Sequence, residues 1–266
     1  MRFSIITVTY NSRTFLTETI QSVLSQDFCV FEYIIIDGGS SDGTLDIIRS
    51  SADKDSRIRW VSEPDDGISD AFNKGIRMAC GDIIGILNSD DTYAVGALAA
   101  VASAFDADPT CDVVHGDMLR FQGDTPLFRL KPAPVDERVW HDMPVNHPAT
   151  FVRRRAYDQA GLFDTRLKVA MDYELVLRLY RAGCRFRYIE RILANMRYGG
   201  ASDERFLAAR REVFTVTVAA GYPRWRAGCW FVIKGGMNVT KNVLRKLGLH
   251  GLMRLHPKFR KNHEES

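Results

Sequence analysis

An α/β fold, with a mostly parallel sheet and helices on both faces, is predicted by three observations. Short β-branched runs alternate with helical periods through residues 1–115. Those runs read as buried strands. The composition, 45% apolar and 26% charged over 266 residues, is that of a globular chain long enough for a sizeable core. It excludes intrinsic disorder and collagen-like repeats.

The elements follow in order. Strands are predicted at residues 4–9, 33–37, 58–62, 83–87 and 112–115. The first helix, at 14–25, carries one apolar stripe of Phe15, Leu16, Ile20, Val23 and Leu24. Helical patterns continue at 44–49, 68–79 and 95–105, and no stretch reaches the roughly 18 apolar residues that span a bilayer. Beyond residue 116 the pattern changes. Residues 117–130 read as a hairpin turning at Gly123-Asp124, followed by a strand at 149–152 and helices near 154–160 and 172–182. A strand at 186–189 and a helix at 203–219 complete a unit of residues 1–222, with halves meeting near 115/116. Residues 223–266 form a basic, helical C-terminal extension. The N-terminal residues read as a strand and not as a signal peptide. Five cysteines (29, 80, 111, 184 and 229) without C-x-x-C or zinc spacing read as reduced, mostly buried thiols of a cytoplasmic protein.

In such sheets ligands sit beyond the carboxyl ends of the strands. The first strand ends in Thr9-Tyr10-Asn11-Ser12, a hydroxyl, an aromatic face and an amide suited to a planar base; alternatively Asn11 or Ser12 caps the next helix. The second ends in Asp37-Gly38-Gly39-Ser40-Ser41-Asp42-Gly43-Thr44, where a carboxylate suits a ribose hydroxyl or a base N–H, or simply closes a tight strand-to-helix turn. Neither a dinucleotide fingerprint nor a Gly-Lys-Ser/Thr phosphate loop occurs, which sets nicotinamide and P-loop ATP chemistry aside. The fourth strand runs into Asn88-Ser89-Asp90-Asp91. Adjacent carboxylates repel unless a cation or hydrogen-bond donors compensate. Hard oxygen ligands on a loop match Mg²⁺ or Mn²⁺, with substrate phosphates completing the shell. The alternative makes Asp91 the N-cap of the following helix.

These segments, with Glu63-Pro64-Asp65-Asp66-Gly67-Ile68 and Asn73-Lys74-Gly75 between them, stand in the order found in the family 2 glycosyltransferases. Over about residues 3–200 the chain resembles the bacterial cell-surface polysaccharide branch of that family. The resemblance implies a GT-A fold, with residues 1–115 as the nucleotide-sugar half and 116–222 as the acceptor half of a catalytic domain. It makes Thr9, Tyr10, Asn11 and Asp37 candidates for base and ribose contacts, and puts Lys74 near a phosphate unless it is a solvated helix residue. Asn88-Ser89-Asp90 stands where the family has its D-x-D metal motif. Asn replaces the first Asp, leaving Asp90 as the principal metal carboxylate, with Asp91 the other candidate and Asn88 and Ser89 beside the nucleotide sugar. Asp172 matches the catalytic-base aspartate, although Met171 stands where an acidic neighbour is usual; read without the family, Asp172 caps a helix. His147 in Asn146-His147-Pro148 resembles a residue on the acceptor or phosphate side. Gly199 and Gly200 resemble a Gly-Gly-x-Ser segment near the donor phosphates.

The implied reaction is inverting transfer from a nucleotide-diphosphate sugar to a hydroxyl of a lipid-linked acceptor or growing glycan, with Mg²⁺ or Mn²⁺. A non-catalytic sugar-nucleotide-binding module is the alternative that Met171 and Asn88 favour. A sugar nucleotidyltransferase normally needs a Gly-rich basic loop after the first strand, which residues 9–13 lack. Charge is divided unevenly: residues 223–266 carry ten basic and two acidic side chains, against 26 and 31 in the remainder. Basic residues interleaved with Trp225, Trp230, Phe231 and leucines suit an amphipathic element on the anionic inner face of the cell membrane, or a helix packed on the domain with a solvated basic face. No nucleic-acid-binding motif accompanies that charge.

Overall fold

Seven consecutive buried residues, Phe3–Thr9, form β1, and β2 (Phe31–Asp37) is buried along its whole length in the same way. Odd positions (Phe3, Ile5, Tyr33, Ile35) enter one core and even positions (Ile6, Val8, Ile34, Ile36) another, because successive strand side chains point to opposite faces. Both faces therefore need helical cover. On the first face lie α1 (Leu16–Leu24), α2 (Thr44–Ala52) and α4 (Ala97–Ala107), which insert Leu16, Ile20, Ile48, Leu98 and Phe105. The second is covered by α3 (Ile68–Met78), α6 (Arg154–Ala160) and α7 (Met171–Arg181), through Phe72, Ile76, Tyr157 and Leu175.

These elements belong to a computed structural model that describes residues 1–28, 31–123, 125–198 and 206–246. The remaining strands are β3 (Ile58–Ser62), β4 (Ile83–Asn88), β5 (Thr92–Tyr93), β6 (Val113–Gln122), β7 (Thr125–Leu130), β8 (Thr150–Arg153) and β9 (Phe186–Arg197). The described strands make one sheet in the order β3-β2-β1-β4-β8-β6-β9-β5, with β7 paired to β6. The first four are mutually parallel, whereas β8 runs antiparallel to both β4 and β6. Register places Thr9 beside Asp37, Asp37 beside Ser62, and Val8 beside Asn88, so four loops leave one edge together.

Three elements differ from expectation. The segment after Asp91 first forms β5, which pairs with Asn195 and Ala194 of β9, and α4 starts only after Gly96 at φ +70°. Asp91 therefore does not cap that helix. The strand expected at 112–115 continues to Gln122 as the first arm of the β6–β7 hairpin, and the one expected at 186–189 continues to Arg197. Cys111 and Cys184 are buried, but Cys80 and Cys229 are exposed.

The short α5 (Val135–Arg138) leads into residues 139–145, which share a third apolar cluster with α7 and α8 (Phe206–Ala219) through Val139, Val145, Tyr173, Val176, Val213 and Val216. The basic extension begins as α9 (Arg224–Lys246). Its first turns are docked: Ala227 is buried, Trp230 stacks on His141 at 3.9 Å between centroids, and Lys234 pairs with Asp142 at 2.7 Å. Trp225 and Val232 face outward, 68% and 71% exposed. Among the described residues no helix is long and apolar enough to cross a membrane.

Candidate active site at the carboxyl edge of the sheet

The end of β2 is organised by Asp37. Its fully buried carboxylate accepts from the Gly39 and Ser40 amides (3.1 and 3.0 Å) and from the Ser40 and Ser62 hydroxyls (2.5 and 2.7 Å). Oδ2 takes three of these donors and Oδ1 only the Ser40 hydroxyl, which leaves Oδ1 one acceptor position. In this state Asp37 closes the strand-to-helix turn and links it to β3. Asn11, at φ +49°, is the one non-glycine residue in the left-handed region among the described residues. Its amide N–H donates to Ser40 Oγ (2.8 Å) and its side-chain oxygen accepts from Ser41 N–H (3.0 Å), so it ties the β1 loop to the β2 loop and does not cap α1. Tyr10 stands 65% exposed beside Gly38, where a Cβ would lie 3.5 Å from its ring and 2.5 Å from Asp65 Oδ2. Gly38 thus keeps open the junction of three loops. Thr9 Oγ1 is buried without a partner.

The Asn73-Lys74-Gly75 motif is engaged within the protein. Asn73 makes two hydrogen bonds of 2.9 Å to the backbone of Phe163, donating to its carbonyl and accepting from its N–H. Lys74 donates to the Pro64 carbonyl at 2.9 Å and pairs with Glu63 (3.0 Å) and Asp70 (3.3 Å), fastening the β3–α3 loop. It is therefore not a freely solvated helix lysine.

At the end of β4 the two adjacent carboxylates diverge. Asp91 is 1% exposed; one oxygen accepts from the Arg197 amide (3.2 Å) and the other from Asn88 Nδ2 (3.3 Å). Burial, with the Asp90 charge beside it, pushes the Asp91 carboxyl up to about 7. Asp90 is half-buried and makes no side-chain hydrogen bond among the described residues. Asn88 Oδ1 is buried and unpartnered, while Ser89 Oγ meets Ser12 Oγ at 2.8 Å. No group of three or more His, Cys, Asp or Glu side chains suited to a metal occurs among the described residues. A cation here would rely on Asp90, the free Asn88 oxygen and substrate oxygens. That donor set fits Mg²⁺ or Mn²⁺, which commonly take one or two carboxylates and complete the shell with phosphate and water.

Asp172 is the second residue of α7, whose N-cap position is Ala170, so Asp172 is not the cap. Its Oδ1 accepts from the Tyr173 amide at 2.8 Å. It lines a small, largely apolar cavity with Ile86, Val145 and His147. Ile86 lies two residues before Asn88, which brings Asp172 towards the β4 end. His147 packs against the Phe72 and Phe163 rings, at 5.5 and 6.4 Å, and those two rings are 5.0 Å from each other. Burial lowers the His147 pKa against the opposing pull of the Asp172 charge. Lys168 Nζ, just before α7, donates to the Asp66 carbonyl at 3.3 Å and bridges to the β3–α3 loop. Gly199 and Gly200 lie outside the described residues.

Three residues of this architecture were given no role of their own by the sequence: Asp65, Asn73 and Glu212. Asp65 and Asn73 stood inside the quoted motifs, so their spacing was the available signal. Glu212 had none.

An open sheet with polar loops on its parallel edge, continued through an antiparallel strand and packed against a helix that carries a second carboxylate, is the GT-A architecture of glycosyltransferases. Residues 4–167 match the family model described as glycosyl transferase family 2. The chain belongs to that family and is a glycosyltransferase. A PGL/p-HBAD biosynthesis glycosyltransferase of Mycobacterium bovis is 30% identical over 205 residues, covering 76% of this chain and 79% of that protein. The O-antigen biosynthesis protein RfbC of Myxococcus xanthus is 32% identical over 72% of this chain but only 15% of its own length. Among solved structures, S. aureus TarS 1–349 in complex with UDP-GlcNAc superposes with a TM-score of 0.64 at 22% identity, covering 87% of this chain and 70% of that one. The mannosyltransferase PcManGT of Pyrobaculum calidifontis, in complex with GDP-Man and Mn²⁺, gives 0.70 at 18% identity over 97% and 82%.

Proposed function

We propose that the protein is an inverting glycosyltransferase that moves a sugar from a nucleotide-diphosphate donor to a hydroxyl of a lipid-linked acceptor or growing glycan. The observation that carries this reading is the pairing of an unengaged Asp90 at the end of β4 with Asp172 in a cavity lined by the same strand. Donors of this class are found in the TarS and PcManGT complexes, which supports the assignment of the edge to a nucleotide sugar.

In this reading Tyr10 offers its exposed ring to the base, and Thr9 Oγ1, without an internal partner, is a donor for base or ribose. Asn11 and Asp37 act chiefly by shaping the turns. A direct contact from Asp37 would use the acceptor position that Oδ1 keeps beside the Ser40 hydroxyl. Asn88 and Asp90 face ribose and diphosphate, with Ser89 holding the loop through Ser12, and Lys74 contributes positive charge near the phosphates from its fastened position. Asp90, with the Asn88 oxygen, would hold Mg²⁺ or Mn²⁺, which when bound neutralises charge on the departing diphosphate. Asp91, bonded to Arg197 and Asn88, is the less available of the two carboxylates. Asp172 takes the proton of the acceptor hydroxyl as its oxygen attacks the anomeric carbon from the face opposite the leaving group. Holding donor and acceptor together supplies much of the remaining acceleration. His147 lines the acceptor side, and for Gly199 and Gly200 the place near the donor phosphates is what the family resemblance implies. The outward Trp225 and Val232 of α9, among basic residues, support a reading in which the helix rests on the anionic inner face of the cell membrane and brings the site to its acceptor.

The test is Asp172→Asn. Release of nucleoside diphosphate in the presence of acceptor is expected to fall at least 100-fold, the lower range for a general base. Calorimetric affinity for the nucleotide should stay within about twofold. Full turnover in that variant removes Asp172 from the mechanism.

A further inference from the structure

We infer that Glu212 is a positioning residue for glycosyl transfer: reaching over from α8, its carboxylate fixes the stretch of backbone that delivers Asp172. The inference rests on the reading of Asp172 as the base. Glu212 Oε1 accepts from the Lys168 amide at 3.0 Å, and Oε2 accepts from the Val169 and Ala170 amides at 2.9 and 2.7 Å. Three successive N–H groups immediately before Met171 and Asp172 are thus held by one side chain. No side chain within that segment caps α7, so an element distant in sequence does the work a local cap would do. A carboxylate is also the charge that a helix N-terminus favours.

The same helix grips the other side of Asp172. Tyr173 Oη lies 2.9 Å from Thr217 Oγ1 and donates to the Val139 carbonyl at 2.7 Å. Asp172 itself hydrogen-bonds only to the amide of its own neighbour among the described residues, so the position of its free oxygen follows the backbone. Whatever fixes that backbone fixes the base. The matched family segment ends at residue 167, one residue before the first amide that Glu212 binds, so this anchor lies outside the part of the chain the family model describes.

Among the described residues the loops of β1 to β4 make no hydrogen bond to Glu212, so loss of the anchor should act on turnover more than on donor binding. A displacement of about 1 Å can cost about 100-fold in rate. Glu212→Gln keeps the size of the side chain but turns an NH₂ towards amide donors. In the full chain it is expected to lower kcat about 100-fold, leave KM for the nucleotide sugar within twofold, and lower the melting temperature by only a few degrees, the effect of a lost cap. Because the effect runs through Asp172, the double variant Asp172→Asn/Glu212→Gln should be no slower than Asp172→Asn alone. Wild-type kcat in Glu212→Gln while Asp172→Asn is inactive overturns the inference, as does a further loss in the double variant. Full turnover in Asp172→Asn instead overturns the reading beneath it. Hydrogen exchange on the unaltered protein gives a check independent of variant folding: the Lys168, Val169 and Ala170 amides should exchange slowly. Exchange of all three at the rate of unprotected amides overturns the inference.

Discussion

At the scale of single residues, environment and not identity separates like groups. Asp90 and Asp91 are adjacent and chemically the same, yet one is enclosed between Asn88 and the Arg197 amide while the other is unengaged. Nothing in the sequence distinguishes them, because the distinction is made by β9, a hundred residues on. His115 gives the same lesson with a measurable consequence. It is buried on β6 against Tyr188 and Phe186, its Nδ1 has no partner, and burial pushes its pKa down to about 4. The unfolded chain binds that proton near pH 6.5 and the folded one near 4, so stability contributed by the neutral ring is complete above pH 6.5 and lost as pH falls through that window. The difference corresponds to about 3 kcal/mol. In denaturant titrations the wild type should lose about 3 kcal/mol relative to His115→Phe, whose ring cannot titrate, as pH falls from 6.5 to 4. A gap that stays constant over that range refutes the assignment.

At the scale of elements, the buried strands and their alternation with helices were legible because β-branched runs and 3.6-residue stripes are local signals. Strand and helix ends were less so. The β5 segment is two residues long and exists only because Asn195 and Ala194 lie beside it. Motif glycines show where local and tertiary preference conflict. Gly75 is in the interior of α3, where alanine would favour the helix by about 1 kcal/mol. A Cβ there would stand 2.5 Å from Ile6 Cγ2 in the buried core, and such overpacking costs about 1–3 kcal/mol. Gly75→Ala is therefore expected to be net destabilising by up to about 2 kcal/mol in chemical denaturation, and a stability gain would show that β1 yields freely. Asn73 and Lys74 were recognisable as part of a motif. That they bind the Phe163 backbone and the Pro64 carbonyl required partners 90 and ten residues distant.

At the scale of the whole molecule, the division between an acidic domain and a basic extension acquires a geometry. The first turns of α9 are fixed to the domain through Trp230 and Lys234, and its outer side carries Trp225 and Val232. Removing the extension would uncover the docking surface, so the cleaner test alters only the outward side chains. Co-sedimentation of the full chain with anionic vesicles should fall at least tenfold in Trp225→Glu/Val232→Glu and decline with added salt. Undiminished binding by that variant would move the contact elsewhere. Fold class, the order of the four strand-end motifs and the family were determined by the sequence alone, since each rests on short-range periodicity or on residues contiguous in the chain. Which aspartate is free, what Asn73 and Lys74 hold, and that Glu212 anchors the Asp172 loop were decided only by the tertiary structure. Hydrogen-bond saturation and burial are properties of the space around a side chain, and that space is built by segments far away in sequence.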